Sequence, residues 1–573
     1  MRFEFPDLNH PKKDRIEGAS EPRLRSLLST LELLSPNEGQ MPWKELYKNI
    51  GEGHEGLEVA DRIRDLTYNY IAQKIPVLQE KIPQFKDISE KQLCEAIVHN
   101  WFEEVSNLEG TRTELLLTVA ASIAKRIETF TYKRYIQAAS MEDLKRLGLS
   151  EETRALAVDL LDITQKTNPL YIRYAAYAGF SEKPGLDATT TGMMVPGGEV
   201  SMTAAALFSH ETQFIGGKLR TLSENSQAWE NIPGAHIFKE YLICLSNFYK
   251  EADPLRAREY AVKGEELFLE LTNNKFPIYI IHTTEGSLKE PYIDPELRLG
   301  LWSEDMKTEE DIFKRARDPM ADSLGVIGAD QFSEELRKRP VRSLLAIGNF
   351  GAGLTSNAVA QEDPVSLIYL NDQIRTYDRE FYKFGQFVLD AENKEMFPAA
   401  GLLAERISRM CTVLHENGHA LFPNSSSEAS RMGLKAHGII DEVKAEVVYR
   451  ALVPELIKRG GVEGSYKEWA MGMLGRVLQQ LRDQPEGDFY FYDATYILNC
   501  LIESGAVTFR EDKLYIENTE LYYETLKIAA REVLKLYEDQ SMNDRKAQLW
   551  IQKRCKANAV VTQVTKFIKE VKI

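Results

Sequence analysis

The sequence predicts an α+β fold that is predominantly helical, and three observations carry that expectation. From about residue 56 to 180, apolar residues recur at three- and four-residue spacing, as in GLEVADRIRDLTYNYIAQKI and TELLLTVAASIAKRIETFTYKRYIQAA. The middle of the chain then changes character. FPIYIIHTT (276–284), RSLLAIG (342–348) and VSLIYLND (365–372) are short β-branched or aromatic runs bounded by Gly, Pro and Asn, the pattern of strands. From Pro398 the helical period returns and dominates to the last residue. No internal repeat, low-complexity segment or long linker divides the chain. The expected organisation is a mixed portion that carries the strands and a mainly helical portion packed with it, exchanging segments.

At 573 residues, 43% hydrophobic and 28% charged, the composition is that of an ordinary globular protein large enough to need no stapling. A metal in such a chain is expected to do chemistry and not scaffolding. The net charge of −16 and pI near 5.3 argue against a general nucleic-acid binder, which shows a basic face. The opening segment, MRFEFPDLNHPKKDRIEGAS, has no apolar core and carries acids early, so it reads as neither secretory signal nor transit peptide. The longest apolar stretch, Leu115 to Ala124, falls far short of the roughly 20 residues that span a bilayer. Cys94, Cys244, Cys411, Cys500 and Cys555 are odd in number and form no C-x-x-C pair, as expected of reduced thiols. The expectation is a soluble cytoplasmic protein that engages neither membrane nor nucleic acid.

One segment carries chemistry. In PAAGLLAERISRMCTVLHENGHALFP, Leu403, Ile407, Met410 and Leu414 mark one face of a helix that Pro423 closes. On that helix His415-Glu416-Asn417-Gly418-His419 is an H-E-x-x-H match. Two imidazoles one turn apart converge on a single metal ion, and the Glu beside the first faces the water that the metal activates. A metzincin continuation would place Gly at 422 and His at 425, where the chain has Phe422 and Ser425. The third ligand is therefore expected from a following helix. HGIIDEVKAEVVYRALV has Ile440, Val443 and Val447 on an apolar face, with Glu442 and Glu446 one turn apart on another. The stretch PNSSSEASRMG leaves room for a loop and an antiparallel return. Glu442 is the leading candidate, with Glu446 and Asp441 as alternatives, and His437 stands one turn before Asp441. Two His and a Glu make an open catalytic zinc site, with Glu416 as the base for amide hydrolysis.

The pair HENGH…DEVKAE resembles the zinc signatures of the dipeptidyl peptidase III family, whose second motif reads E-E-x-R/K-A-E/D. The resemblance implies that Glu442 is the third zinc ligand and Glu446 an outer carboxylate, with Asp441 replacing the first Glu. The family's commoner first motif is one residue longer, so the five-residue form here resembles a divergent, shorter branch. Glu290-Pro291-Tyr292-Ile293-Asp294-Pro295 is similar to an E-x-Y-x-D-P segment, which implies that Tyr292 assists the transition state and Glu290 holds the substrate amine. Asn357 falls where the family has an Asn pair that binds the peptide N-terminus, and Ala360 stands at the second position. The family commonly supplies a substrate-contacting His well after the third ligand. This chain has no His beyond His437, and alignment on LIESG (501–505) puts Tyr490 or a neighbouring aromatic there. The motifs cover roughly residues 280–450.

The resemblance implies two lobes around a wide cleft, a helical upper lobe carrying zinc and a lower lobe with a small β-barrel core. The corresponding boundaries are 1–305, with 340–385 returning to it, for the lower lobe, and 306–339 with 386–573 for the upper. It implies one Zn²⁺ per chain, short peptides as partners, and release of dipeptides from peptide N-termini. A zinc hydrolase of another substrate class and a non-catalytic peptide binder are the alternatives. The oligomeric state is left open by the sequence.

Overall fold

A computed structural model of the chain describes residues 56–99, 111–164, 193–194, 201–202, 205, 209–274, 276–281, 298–339, 341–349, 358–360, 367–370, 384–391, 402–422, 425–484, 486 and 488–571. The chain forms two compact units, residues 1–307 with 344–355 and residues 308–343 with 356–573.

In the first unit, α1 (Gly56–Ala72), α2 (Glu90–His99) and α3 (Thr111–Ala138) pack on one another. The expected spacing sets this contact, because Val59, Ala60, Ile63 and Ile71 are the buried apolar residues of α1. A second group, α4 (Ser209–Glu224), α5 (Ala235–Lys250) and α6 (Pro254–Asn274), packs in chain order. The strands follow: β1 (Ile278–Ile281), β2 (Arg298–Leu301) and β3 (Val341–Asn349), paired antiparallel in that order. The Tyr241 hydroxyl of α5 donates to the Ile280 carbonyl at 2.7 Å and ties helix to strand.

The second unit is mainly helical. After most of α7 (Glu304–Ser323) come a hairpin of β4 (Ala358–Ala360) with β5 (Leu367–Leu370), and then β6 (Val388–Asp390). The rest is α8 (Leu402–His419), α9 (Ser425–Met432), α10 (Leu434–Lys458), α11 (Tyr466–Asp483), α12 (Phe489–Glu503), β7 (Val507–Arg510), β8 (Lys513–Ile516), α13 (Thr519–Glu538), α14 (Asp544–Arg554) and α15 (Ala559–Glu570). The hub is α10, which packs against α8, α11, α12, α13 and α14. Val443, Ala445, Val447, Val448, Tyr449, Ala451, Leu452 and Val453 are all buried, so this helix is enclosed on every side. Apolar residues on every face are what such a position requires, and the buried charges of this helix, Lys444, Glu446 and Arg450, are each paired.

The three runs read as strands are strands, and the fold is predominantly helical with small sheets. Three details differ from expectation. The described strands form open ladders and close no barrel. The helical C-terminal region holds a three-stranded sheet in which β8 pairs with β7 antiparallel and with β6 parallel. Its turn residues Glu511 and Asp512 both have positive φ, the twist a two-residue hairpin needs. Finally, the segment expected as a loop between the two motif helices folds largely as α9, with Glu428 in its first turn favouring the helix dipole.

One close approach positions the site. A Cβ added to Gly418 of α8 would lie 2.7 Å from the Ala445 Cα and 2.8 Å from its carbonyl oxygen on α10. The two helices therefore touch backbone to backbone between the motif histidines. Gly418→Ala must push them apart, and overpacking of this kind costs about 1–3 kcal/mol. Thermal melting should show a clear loss of stability in that variant, whereas an unchanged melting temperature would mean the helices are not held this tightly.

Candidate metal centre

The two motif helices run antiparallel, so His415 faces the later turn of α10 and His419 the earlier one. His415 Nε2 and His419 Nε2 lie 3.1 Å apart. Glu442 Oε2 is 3.3 Å from the first and 3.8 Å from the second. A tetrahedral zinc ion with N and O bonds of about 2.0–2.1 Å has ligand–ligand edges of about 3.3–3.4 Å. The three donor atoms thus already stand at the corners of one face of such a tetrahedron. Among the described residues, His415, His419 and Glu442 are the group able to hold a metal ion.

The other face of each imidazole decides its tautomer. His419 Nδ1 shares a hydrogen bond with Asp441 Oδ2 at 2.5 Å, and His415 Nδ1 lies 3.1 Å from Glu446 Oε1. A carboxylate only accepts, so Asp441 holds a proton on Nδ1 of His419. The carboxylate of Glu446 beside His415 favours the same tautomer there, the form in which both Nε2 lone pairs are free to ligate.

Glu446 is fully buried and locked. Its Oε2 accepts from Arg450 Nε at 3.0 Å, Arg450 Nη2 at 2.5 Å and the Tyr449 hydroxyl at 3.2 Å. Its Oε1 lies 3.2 Å from Arg476 Nε and 3.1 Å from Arg476 Nη2. With both oxygens so engaged, Glu446 acts as an acceptor behind His415, while Glu442 is the carboxylate that faces both Nε2 atoms. Asp441 is held in the same way. Lys444 Nζ pairs with its Oδ1 at 2.5 Å, and the Tyr537 hydroxyl donates to the same oxygen at 3.1 Å. Lys444 also donates to the Leu421 carbonyl at 2.6 Å, and Arg339 donates to the Ala420 carbonyl at 2.7 Å. These cations neutralise the negative end of the α8 dipole just past His419.

The charges follow from this packing. Burial works against charge on His415, but Glu442 and Glu446 outweigh it and hold its pKa well above the usual imidazole range. His419 is raised by Asp441 and Glu442 against the same opposing burial. Burial opposes charge on Glu446 too, yet Arg476 and Arg450 keep its carboxyl well below the usual range, as Lys444 and His419 do for Asp441. Asp493 of α12 goes the other way. Fully buried, and with Glu446 and Glu442 adding repulsion, it is held well above the usual carboxylate range.

The remaining candidates are placed as follows. Glu416 sits beside His415 on α8 and is half-buried. His437 is buried one step out, its ring edge-on to Tyr537 with centroids 6.0 Å apart. Tyr490 stands near the metal centre with its ring 6.4 Å from that of His415, and it is 39% exposed. Glu290, Tyr292 and Asn357 lie outside the described residues. Sequence reasoning missed Arg450, Arg476, Lys444 and Tyr537. The first and third stand four and three residues after the acids they pair with, a helical spacing that was legible. The other two come from α11 and α13 and leave no local signal.

No protein-family model matches the chain, and no curated protein matches it. The solved structures similar to it include two described as dipeptidyl-peptidase III. One is from Caldithrix abyssi, with 14% identity and a TM-score of 0.48, covering 81% of this chain and 94% of that one. The other is from Corallococcus sp. strain EGB, with 13% identity and a TM-score of 0.46, covering 95% of each. Among the described residues, no helix is long and apolar enough to cross a membrane.

The raised histidines make the metal-free protein pH-sensitive in a definite direction. A folded-state pKa above the unfolded value of 6.5 stabilises the fold below that pH, and the contribution disappears as pH rises through the folded value. The depressed Glu446 and Asp441 lose theirs only in acid, below the ordinary carboxylate range. Chelator-treated protein should therefore melt at a lower temperature at pH 9 than at pH 6.5. A profile that is flat or rising over this interval would mean the histidines are not charged in the metal-free state.

Proposed function

We propose that this chain is a zinc-dependent peptidase that releases dipeptides from the N-termini of short peptides. The observation that carries the reading is the ready-made face of two imidazole nitrogens and one carboxylate oxygen, with a second carboxylate, Glu416, adjacent in sequence. His415, His419 and Glu442 would hold the ion, and their donor chemistry and spacing fit zinc. When bound, zinc supplies Lewis acidity that polarises a peptide carbonyl and acidifies water.

The chain's own residues supply the rest. Asp441 and Glu446 keep the imidazoles in the ligating tautomer. Glu416 is assigned as the base that takes a proton from the attacking water and passes it to the departing amine. Tyr292 is assigned as the phenol that donates to the developing oxyanion. Glu290 and Asn357 are assigned to the free α-ammonium of the peptide, which needs carboxylate and amide partners when desolvated. The roles of Tyr292, Glu290 and Asn357, and the count of two residues, rest on the resemblance of the sequence motifs. With Ala360 in place of a second Asn, the grip on the N-terminus is expected to be weaker and KM higher.

The test uses zinc-loaded protein, a panel of short peptides and Glu416→Ala. General-base assistance is typically worth about 10²–10⁴ in rate. Glu416→Ala should keep its zinc and lose kcat by that order, and N-acetylation of a good substrate should abolish most cleavage. Efficient cutting of blocked peptides, or release of single amino acids, would overturn the dipeptidyl assignment. Full activity in Glu416→Ala would overturn the assignment of the base.

A further inference from the structure

The geometry points to Arg476 as a positioning residue of the metal centre, acting on His415 through Glu446 and holding three helices in register. The inference rests on the metal-site reading above. Arg476 is 6% exposed and comes from α11, outside both sequence motifs. Its Nε and Nη2 both face Glu446 Oε1 on α10, the same oxygen that lies 3.1 Å from His415 Nδ1. Its Nη1 donates to Thr412 Oγ1 at 3.2 Å, on α8 one turn before His415.

One planar fork therefore spans the helix that carries the histidine and the helix that carries its carboxylate partner. Arg450 cannot replace it. That guanidinium occupies the opposite oxygen, Oε2, and its third nitrogen donates to the Met473 carbonyl at 2.7 Å. Without Arg476, Glu446 remains charge-paired, but Oε1 loses the donors that aim it at His415. The imidazole then loses its fixed orientation toward the metal. Outer partners of this kind typically change metal affinity by about 10–100-fold. Lysine is no substitute, because one ammonium does not reproduce a fork that reaches two acceptors.

The experiment measures zinc affinity by chelator competition, and the cobalt(II) absorption spectrum, on the full chain. The proteins are wild type, Arg476→Lys and Arg476→Met, with thermal melting run in parallel. Arg476→Lys keeps a buried cation and is the variant expected to fold. Its zinc Kd should rise about 10-fold, and that of Arg476→Met about 100-fold, with shifted cobalt d–d bands in both. A purely structural role would lower the melting temperature and leave the cobalt spectrum unchanged. Arg476→Lys binding zinc within 2-fold of wild type with an unchanged spectrum would overturn the proposal, even if Arg476→Met fails to fold. Wild type that takes up no zinc would overturn the metal-site reading itself, and this inference with it.

Discussion

The candidate metal centre depends on one steric constraint, the backbone contact of α8 with α10 at Gly418 and Ala445. Antiparallel helices that touch this closely place residues one turn apart on one helix opposite residues one turn apart on the other. The pair His415 and His419 then meets the pair Glu446 and Glu442, and three ligand atoms converge without any loop having to order around them. Any side chain at 418 would widen this spacing, because the obstacle is backbone and cannot rotate away.

The second feature is charge compensation. Asp441, Glu442 and Glu446 sit close together around two histidines in a largely buried region. Isolated buried carboxylates would protonate or unfold the site. Here Arg450 and Arg476 balance Glu446, and Lys444 balances Asp441, so both remain charged acceptors behind the imidazoles. Glu442 is left facing the two Nε2 atoms. Asp493, buried beside this cluster with no cation bonded to it among the described residues, goes the other way, its carboxyl pushed up by burial and by the charges of Glu446 and Glu442. The arrangement sets two apparently equivalent glutamates on one helix in different surroundings: their partners differ, not their spacing.

Much of this was legible in the sequence because it is local. The histidine pair, the acids on α10 and the strands at 278–281, 341–349 and 367–370 all follow from patterns within one element. Lys444 and Arg450 were equally legible as helical ion pairs, but solvated charges are the commoner reading of such spacings. What was not legible depends on tertiary packing. Arg476 and Tyr537 reach the site from α11 and α13, and nothing in their local sequence marks them. The β7–β8 hairpin is not marked out in a helical stretch, although Val507 and Phe509 alternate with Thr508 and Arg510 as a half-buried strand does, and Leu514, Tyr515 and Ile516 form a short buried run. The segment 425–432 carries several serines, which favour turns and caps, yet Met432 is buried and α9 packs on α10 and α14.

The central claim is that His415, His419 and Glu442 together bind one metal ion. X-ray absorption at the zinc edge of the loaded protein tests it most directly. The account predicts a light-atom shell at about 2.0–2.2 Å with the scattering of two imidazoles and an oxygen donor from carboxylate, and no sulfur. His415→Ala should remove one imidazole from that shell. A shell holding sulfur, or one that still shows two imidazoles in His415→Ala, would contradict it.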